Sequence, residues 1–224
     1  MRIQRQQSGF TLVEIAIVLV IIGLLLGGIL KGQEMITQAR IKNVTNDFNG
    51  TTAAYFSYQD RYKAVPGDDP NAAPRWASFA ALNGGGDGSI SGLYRDPPPA
   101  DPSTMTVNNT QNESLNFWWH LRAAGFIPGP TQGPGAATQP NNAVGGLIGV
   151  QNGGLTLTGL VVCSSNVPDK IASAVDTQLD DQRSSAGSMR AYKQSAPNED
   201  ITGKAVAGNY VEDGATQYII CKTV

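Results

Sequence analysis

The chain has 224 residues, with 16 Lys or Arg against 18 Asp or Glu, so its formal net charge is −2. A nearly neutral chain without a clustered basic stretch disfavours nucleic-acid binding, which needs a concentrated positive surface. The sequence has two cysteines and one histidine, and it contains no phosphate-binding loop, catalytic-triad signature or His/Cys metal-binding cluster.

The N-terminal segment joins a short basic leader to a long apolar run. Residues 1–9 carry two arginines, and residues 10–30 contain one charged side chain, Glu14. As a helix, this run is about 31 Å long, close to the hydrocarbon thickness of a bilayer. A secretory signal peptide has its small-residue cleavage site after the apolar core, whereas Gly9 precedes the core here. A plain anchor leaves Glu14 unexplained, because a carboxylate there costs about 2.5–3.5 kcal/mol on insertion scales.

The junction between leader and run reads Gly9-Phe10-Thr11-Leu12-Val13-Glu14. It resembles the N-terminal motif of type IV pilins and type II secretion pseudopilins. In that family a prepilin peptidase cuts after the glycine and methylates the new N-terminus. The resemblance therefore implies cleavage between Gly9 and Phe10, with N-methylation of Phe10. It also implies that Glu14 pairs with the N-terminus of a neighbouring subunit during assembly.

A helical pattern continues beyond the apolar run. Apolar and aromatic residues recur at three- and four-residue steps, as on one face of an amphipathic helix: Ile41, Val44, Phe48, Thr51, Tyr55, Tyr58 and Tyr62. Pro66 and Gly67 end the pattern. The sequence thus predicts one helix over residues 10–62. Residues 10–30 form its membrane or filament-core half, and residues 31–62 form its amphipathic continuation.

The region that follows is rich in Gly, Pro and Asn, interrupted by one short helical pattern over residues 113–122. Residues 83–90 overlap an EF-hand calcium loop at some positions but lack the ligands of loop positions three and twelve. Asn83, Asp87 and Glu113 are candidate ligands of a looser Ca²⁺ site. The alternative is an ordinary turn of Gly, Asn and Asp residues.

The C-terminal part predicts an antiparallel sheet and one helix, Pro168 to about Asp180. Five runs have strand character: Val144–Val150, Leu155–Cys163, Ser188–Lys193, Ala205–Val211 and Thr216–Lys222. We expect the Phe48/Tyr55 face of the long helix to pack against this sheet. The fold class is therefore α+β, with residues 63–224 as a globular exported domain. This arrangement is similar to the pilin fold.

Cys163 and Cys221 are the only cysteines, and an even number in an exported domain suggests a disulfide. Closing their 58-residue separation would stabilise the domain by about 4 kcal/mol in the chain-entropy model. The alternative is a pair of buried free thiols.

Neither of two other groupings indicates an enzyme. Asp176 and Asp180 share a face of the C-terminal helix, where carboxylates are usually solvated. His120 lies beside two tryptophans, a pattern typical of a packed helix.

The sequence predicts a non-enzymatic structural subunit of a type IV pilus-like filament. It is expected to cross the inner membrane once, with its N-terminus in the cytoplasm and its C-terminal domain in the periplasm. The resemblance implies three partners: prepilin peptidase, an inner-membrane assembly platform and other pilin subunits. Two alternatives remain open, a type II secretion pseudopilin and a membrane-tethered minor pilin that acts as an adhesin or binding module.

Overall fold

A computed structural model of the protein describes Gly9, residues 11–98 and residues 112–224. Within these ranges the helices are α1 (Leu12–Tyr62), α2 (Ala72–Arg75), α3 (Glu113–Ala123) and α4 (Asp169–Leu179). The strands are β1 (Ile148–Gly154), β2 (Leu157–Pro168), β3 (Met189–Lys193) and β4 (Gln217–Thr223), and two 3₁₀ helices cover Ala77–Phe79 and Pro134–Ala137. The predicted α+β class, a long N-terminal helix with an antiparallel sheet, is confirmed.

The chain divides into two units, Met1–Ala39 and Arg40–Val224, and α1 contributes to both. The sequence also divided this helix, between residues 30 and 31 at the end of the apolar run, whereas this division falls between Ala39 and Arg40. In the second unit α1 buries the face that the three- and four-residue spacing predicts. Its buried residues are Ile41, Val44, Phe48, Thr51, Ala54 and Tyr58. Tyr55 and Tyr62 are half-buried and pack against the same cluster.

The sheet has the strand order β1-β2-β4-β3, and every neighbouring pair is antiparallel. β1 and β2 form a hairpin whose two turn residues, Leu155 and Thr156, have φ of 50° and 67°. The sequence predicted Leu155 as the start of a strand. Its side chain is 2% exposed, and burying a leucine stabilises by about 1.5–3 kcal/mol. This burial offsets the roughly 1–2 kcal/mol that a left-handed residue costs.

The predicted strand Ala205–Val211 is wrong, because this segment is irregular. It runs beside β3 but makes one backbone hydrogen bond to it, from Ala207 N to Ala191 O at 2.7 Å. Ala191 N in turn donates to Ser184 O at 2.9 Å. Loop backbone thus occupies the outer edge of β3 at Ala191, where the sequence predicted a further strand.

Both faces of the sheet are covered. The larger hydrophobic cluster unites the buried face of α1 with α3, α4 and one sheet face, to which Ile148, Val150 and Val162 contribute. The smaller cluster covers the opposite face, where side chains alternate with those of the first along β2 and β4. Its buried members are Tyr94, Leu155, Leu157, Val161, Cys163, Ile201, Ile219 and Cys221.

Candidate functional site

The start of α1 carries a reciprocal hydrogen-bonded cap. Thr11 donates to Glu14 Oε2 from both its backbone N and its hydroxyl, each at 2.8 Å. Glu14 N donates back to the Thr11 hydroxyl oxygen at 3.3 Å. This is the capping-box arrangement, which satisfies N–H groups that a helix start leaves without partners. The Glu14 carboxylate is thereby oriented towards the N-terminal end of the helix.

Glu14 was predicted to pair with a neighbouring subunit, and its bond to Thr11 was not predicted. The signal was present, because Thr11-Leu12-Val13-Glu14 follows the Thr-x-x-Glu pattern that precedes an apolar helix. Of the two predicted processing residues, Gly9 is exposed. Phe10 lies outside the described residues, so cleavage and methylation there stay predictions.

The apolar part of α1 has no covering within its own unit. Every residue from Leu12 to Lys31 is exposed, and a Cβ added at Gly23, Gly27 or Gly28 would meet no atom within 4 Å. Its most apolar 18-residue window has a mean hydropathy of 2.8. By length and composition, α1 is the one helix in the described part of the chain that qualifies to cross a membrane.

Cys163 and Cys221 are joined by a disulfide, as predicted. They lie directly opposite each other on the neighbouring central strands β2 and β4, with their Cα atoms 4.1 Å apart. Both are fully buried in the smaller cluster. The bond therefore links the two central strands of the sheet from inside a hydrophobic core.

The predicted calcium ligands accept hydrogen bonds from the protein backbone. Glu113 is buried, and its two carboxylate oxygens accept from Gly85 N at 2.6 Å and Ser91 N at 2.9 Å. Burial raises the pKa of the Glu113 carboxyl, and the hydrogen bonds from Ser91 and Gly85 oppose that rise. Asn83 Oδ1 accepts from Ala73 N at 2.8 Å, and Asp87 Oδ1 accepts from Ser89 N at 2.8 Å.

A second buried carboxylate, Asp68, organises the same loop. Its oxygens accept from the backbone N atoms of Gly86, Asp87 and Gly88. Together Asp68 and Glu113 bind five backbone N–H groups of loop 83–91. In this structure the loop donates hydrogen bonds to the two carboxylates, which hold it in place. Calcium binding by Asn83, Asp87 and Glu113 stays a prediction.

The described residues include one trio of carboxylates whose oxygens lie within 4.8 Å of one another, Asp176, Asp180 and Asp181. The trio is engaged in structural bonds. Asp176 accepts from the Tyr210 hydroxyl at 2.6 Å and from Gln182 N at 3.1 Å. Burial raises the pKa of Asp176, and the Tyr210 bond opposes that rise. Asp180 accepts from Met189 N at 2.8 Å.

His120 is fully buried on α3, and both ring nitrogens are bonded. Gly67 N donates to Nδ1 at 2.8 Å, and Nε2 lies 2.7 Å from Leu82 O. Because Nδ1 accepts, the proton is on Nε2, which donates to the carbonyl. The ring also stacks on Tyr58, with a centroid distance of 6.1 Å. His120 thus fastens the segment after α1 to the core.

One comparison with known proteins finds a match. A family model described as the prokaryotic N-terminal methylation motif matches residues 4–30. No curated protein and no solved structure matches the chain. The match covers residues 4–9 of the leader, the Gly9–Phe10 junction, Glu14 and the apolar run. The motif overlaps the first part of α1, and its combination with a long helix and an antiparallel sheet is consistent with the type IV pilin and pseudopilin family.

Proposed function

We propose that the protein is a structural subunit of a type IV pilus-like filament. In this proposal a prepilin peptidase removes residues 1–9 and methylates Phe10. Before assembly, the mature subunit is anchored in the inner membrane with its C-terminal domain in the periplasm. The assembly platform then transfers it into the filament, where the first half of α1 packs against other subunits.

The observation that carries the proposal is the position of Glu14. Its carboxylate stands in the first turn of a helix whose next 16 residues, Ile15 to Leu30, carry no charge and are all exposed. An apolar surface of this extent needs lipid or other protein around it. A carboxylate at its start is unfavourable in lipid, so it needs a partner that a passive anchor does not supply.

Cleavage supplies that partner. A new amine on Phe10 would be positive and would lie one residue before Thr11. Within the subunit, Thr11 already donates two hydrogen bonds to Glu14, so the carboxylate is oriented before assembly. In the filament a neighbouring amine would neutralise it. Such a buried ion pair fixes the register between neighbouring subunits more than it adds stability. A filament built from one repeating contact requires a fixed register.

We also propose that the protein is not an enzyme. The groupings that resemble catalytic pairs make structural bonds: Asp176 is bonded by Tyr210, and both nitrogens of His120 are occupied. A structural role accounts for these bonds, and none of them requires a chemical reaction.

Processing is tested by intact-mass analysis of the protein purified from membranes of a host that has the peptidase. We expect loss of residues 1–9 and one added methyl group on Phe10. Gly9→Val should block cleavage, while Gly9→Ala should slow it less, because the peptidase must accept a small side chain there. A mature protein that still begins at Met1 would refute the proposed processing.

Assembly is tested with Glu14→Leu, which removes the carboxylate and makes the run more apolar. We expect normal insertion and cleavage but loss of the variant from sheared filaments. Glu34→Gln is the matched control, because Glu34 is an exposed carboxylate on the same helix that pairs with Lys31 at 2.8 Å. Normal incorporation of Glu14→Leu would reject the pairing and favour the membrane-tethered binding module.

A strain that lacks the protein distinguishes a pilus subunit from a subunit of a secretion system. A pilus subunit should be required for surface filaments, and its deletion should leave the set of secreted proteins unchanged. Loss of secreted proteins with no loss of surface filaments would assign the chain to the type II secretion pseudopilins.

A further inference from the structure

The chain contains three Asn-Gly pairs, Asn49-Gly50, Asn83-Gly84 and Asn152-Gly153. In such a pair the backbone N of the glycine can attack the side-chain carbonyl carbon of the asparagine, because glycine has no Cβ to crowd the approach. The reaction requires that the asparagine side chain and the glycine backbone N are both free to move. The three pairs all lie in the second unit, but their surroundings differ.

The first pair, Asn49-Gly50, lies inside α1. Both residues are exposed, but within a helix each backbone N–H is bonded to the carbonyl four residues earlier. The Gly50 N is therefore engaged, and the helical backbone fixes its orientation relative to the Asn49 side chain. This pair can react only after local unfolding of α1.

The second pair, Asn83-Gly84, is held by direct contacts on both sides. Asn83 Oδ1 accepts from Ala73 N at 2.8 Å, and Gly84 N donates to Asp69 O at 3.0 Å. Gly84 is buried, and a Cβ there would lie 2.3 Å from Asp68 Cα. Neither the side chain nor the attacking N can therefore move without opening this part of the loop.

The third pair, Asn152-Gly153, lies at the end of β1 beside the hairpin turn, and Asn152 is exposed. The register between β1 and β2 shifts between Asn152 and Gly154, so the ladder of strand hydrogen bonds is disrupted there. Gly153 and Gly154 have φ of 67° and 146°, a region that glycine samples readily. The Asn152 side chain donates from Nδ2 to the Ser89 hydroxyl at 2.7 Å. This bond lies at the protein surface, where water can replace it.

We propose that Asn152 is a site of spontaneous deamidation. The backbone N of Gly153 bonds to Cγ of Asn152 and loses its proton to solvent. The bond from Cγ to Nδ2 breaks, and Nδ2 takes up a proton from solvent and leaves as ammonia. Water then adds to one of the two carbonyl carbons of the resulting cyclic imide and opens the ring, which gives aspartate or isoaspartate. One water is consumed and one ammonia is released, so the reaction is balanced without a cofactor.

The modification changes the contact between β1 and loop 83–91. Both products carry a carboxylate where the Asn152 amide donates to Ser89, and a carboxylate only accepts hydrogen bonds. Isoaspartate also continues the main chain through the side-chain carbon, which adds one methylene to the backbone beside the hairpin turn. A subunit in a long-lived filament would accumulate the added negative charge with age. That consequence rests on the proposed function, whereas the modification itself does not.

The test measures deamidation of the full chain in detergent micelles, incubated in mildly alkaline H₂¹⁸O buffer. The heavy oxygen enters only at residues that react during the incubation, and pepsin digestion at low pH followed by fragment-ion mass spectrometry locates it. We expect Asn152 to convert at least about 10-fold faster than Asn49 and Asn83, because those two react only from opened conformations. The same chain in denaturant is the control. There the three rates should become similar, since each pair consists of the same two residues.

One variant and one matched control complete the test. Gly153→Ala should slow the reaction at Asn152 about 10-fold, because a Cβ crowds the attacking N. Gly50→Ala is the control, since a Cβ there meets no atom within 4 Å, and it should leave the rate at Asn152 unchanged. The proposal is overturned if Asn152 in the folded chain converts no faster than Asn49 and Asn83, if Gly153→Ala reacts at the native rate, or if the denatured chain keeps the same excess at Asn152. The comparison of the three pairs uses the native chain, so it decides the matter even if Gly153→Ala does not fold.

Discussion

The buried His120 makes the stability of the second unit depend on pH. Gly67 N donates to Nδ1 of the ring, and Nε2–H donates to Leu82 O. Protonation would place a hydrogen on Nδ1, which would then face the Gly67 N–H as a second donor inside a fully buried environment. Burial therefore lowers the pKa of His120 from its usual 6.5 to about 4, partly opposed by the Leu82 bond.

The sign and size of the effect follow from linkage. The unfolded chain takes up a proton at His120 near pH 6.5, whereas the folded chain does so only near pH 4. The stabilising contribution is therefore complete above pH 6.5 and is lost as the pH falls from 6.5 towards 4. A difference of about 2.5 pKa units corresponds to roughly 3 kcal/mol of unfolding free energy.

The measurement is direct because His120 is the only histidine in the chain. Selective ¹⁵N-histidine labelling of untagged protein should give one ring, with its proton on Nε2 at neutral pH and a titration near pH 4. Denaturant unfolding at pH 7.5 and pH 4.5 should show roughly 2–3 kcal/mol less stability at the lower pH, relative to the change in His120→Asn. The contributions of the other titrating groups are the same in both proteins and cancel in this comparison. A ring that titrates near 6.5, or an equal pH dependence in both proteins, would refute the reasoning.

Three further predictions concern the cap, the disulfide and the loop. Thr11→Ala should weaken the start of α1 by about 1 kcal/mol, which amide exchange over residues 12–15 would show as faster exchange. Thr37→Ala is the control, because the native Thr37 hydroxyl donates to Gln33 O in the same helix. Equal exchange over residues 12–15 in both variants would contradict the capping role. Cys163→Ser with Cys221→Ser should lower the unfolding free energy by about 4 kcal/mol, and thiol labelling of the native chain without reductant should find no free cysteine; two labelled thiols would exclude the bond. Glu113→Gln should increase amide exchange in loop 83–91 in calcium-free buffer. The reason is that an amide side chain has one acceptor oxygen, whereas the carboxylate has two. Unchanged exchange would show that the Glu113 bonds to Gly85 and Ser91 do not fix the loop.

Local patterns in the sequence were enough to predict the long helix and the N-terminal motif. The apolar run and the spacing from Ile41 to Tyr62 placed α1 to within two residues at its start, because helix periodicity depends on neighbours along the chain. α3 and α4 followed for the same reason. The disulfide was predictable because two cysteines allow one intramolecular pairing, and β2 and β4 place Cys163 opposite Cys221. Thr11-x-x-Glu14 was equally local and could have been found.

Only the tertiary structure decided which groups with similar sequence signals would meet. Ala205–Val211 has strand character, yet it is irregular, since loop backbone already bonds the β3 edge at Ala191. Leu155 forms a turn because burial in the smaller cluster outweighs its backbone preference. The oxygens of Glu113 bind loop amides that lie 22 and 28 residues away in sequence. Asp47 and Arg122 line one cavity although 75 positions separate them. Hydrogen bonds and charges act through space over a few ångströms, so their partners follow from the packing of elements that no local pattern specifies.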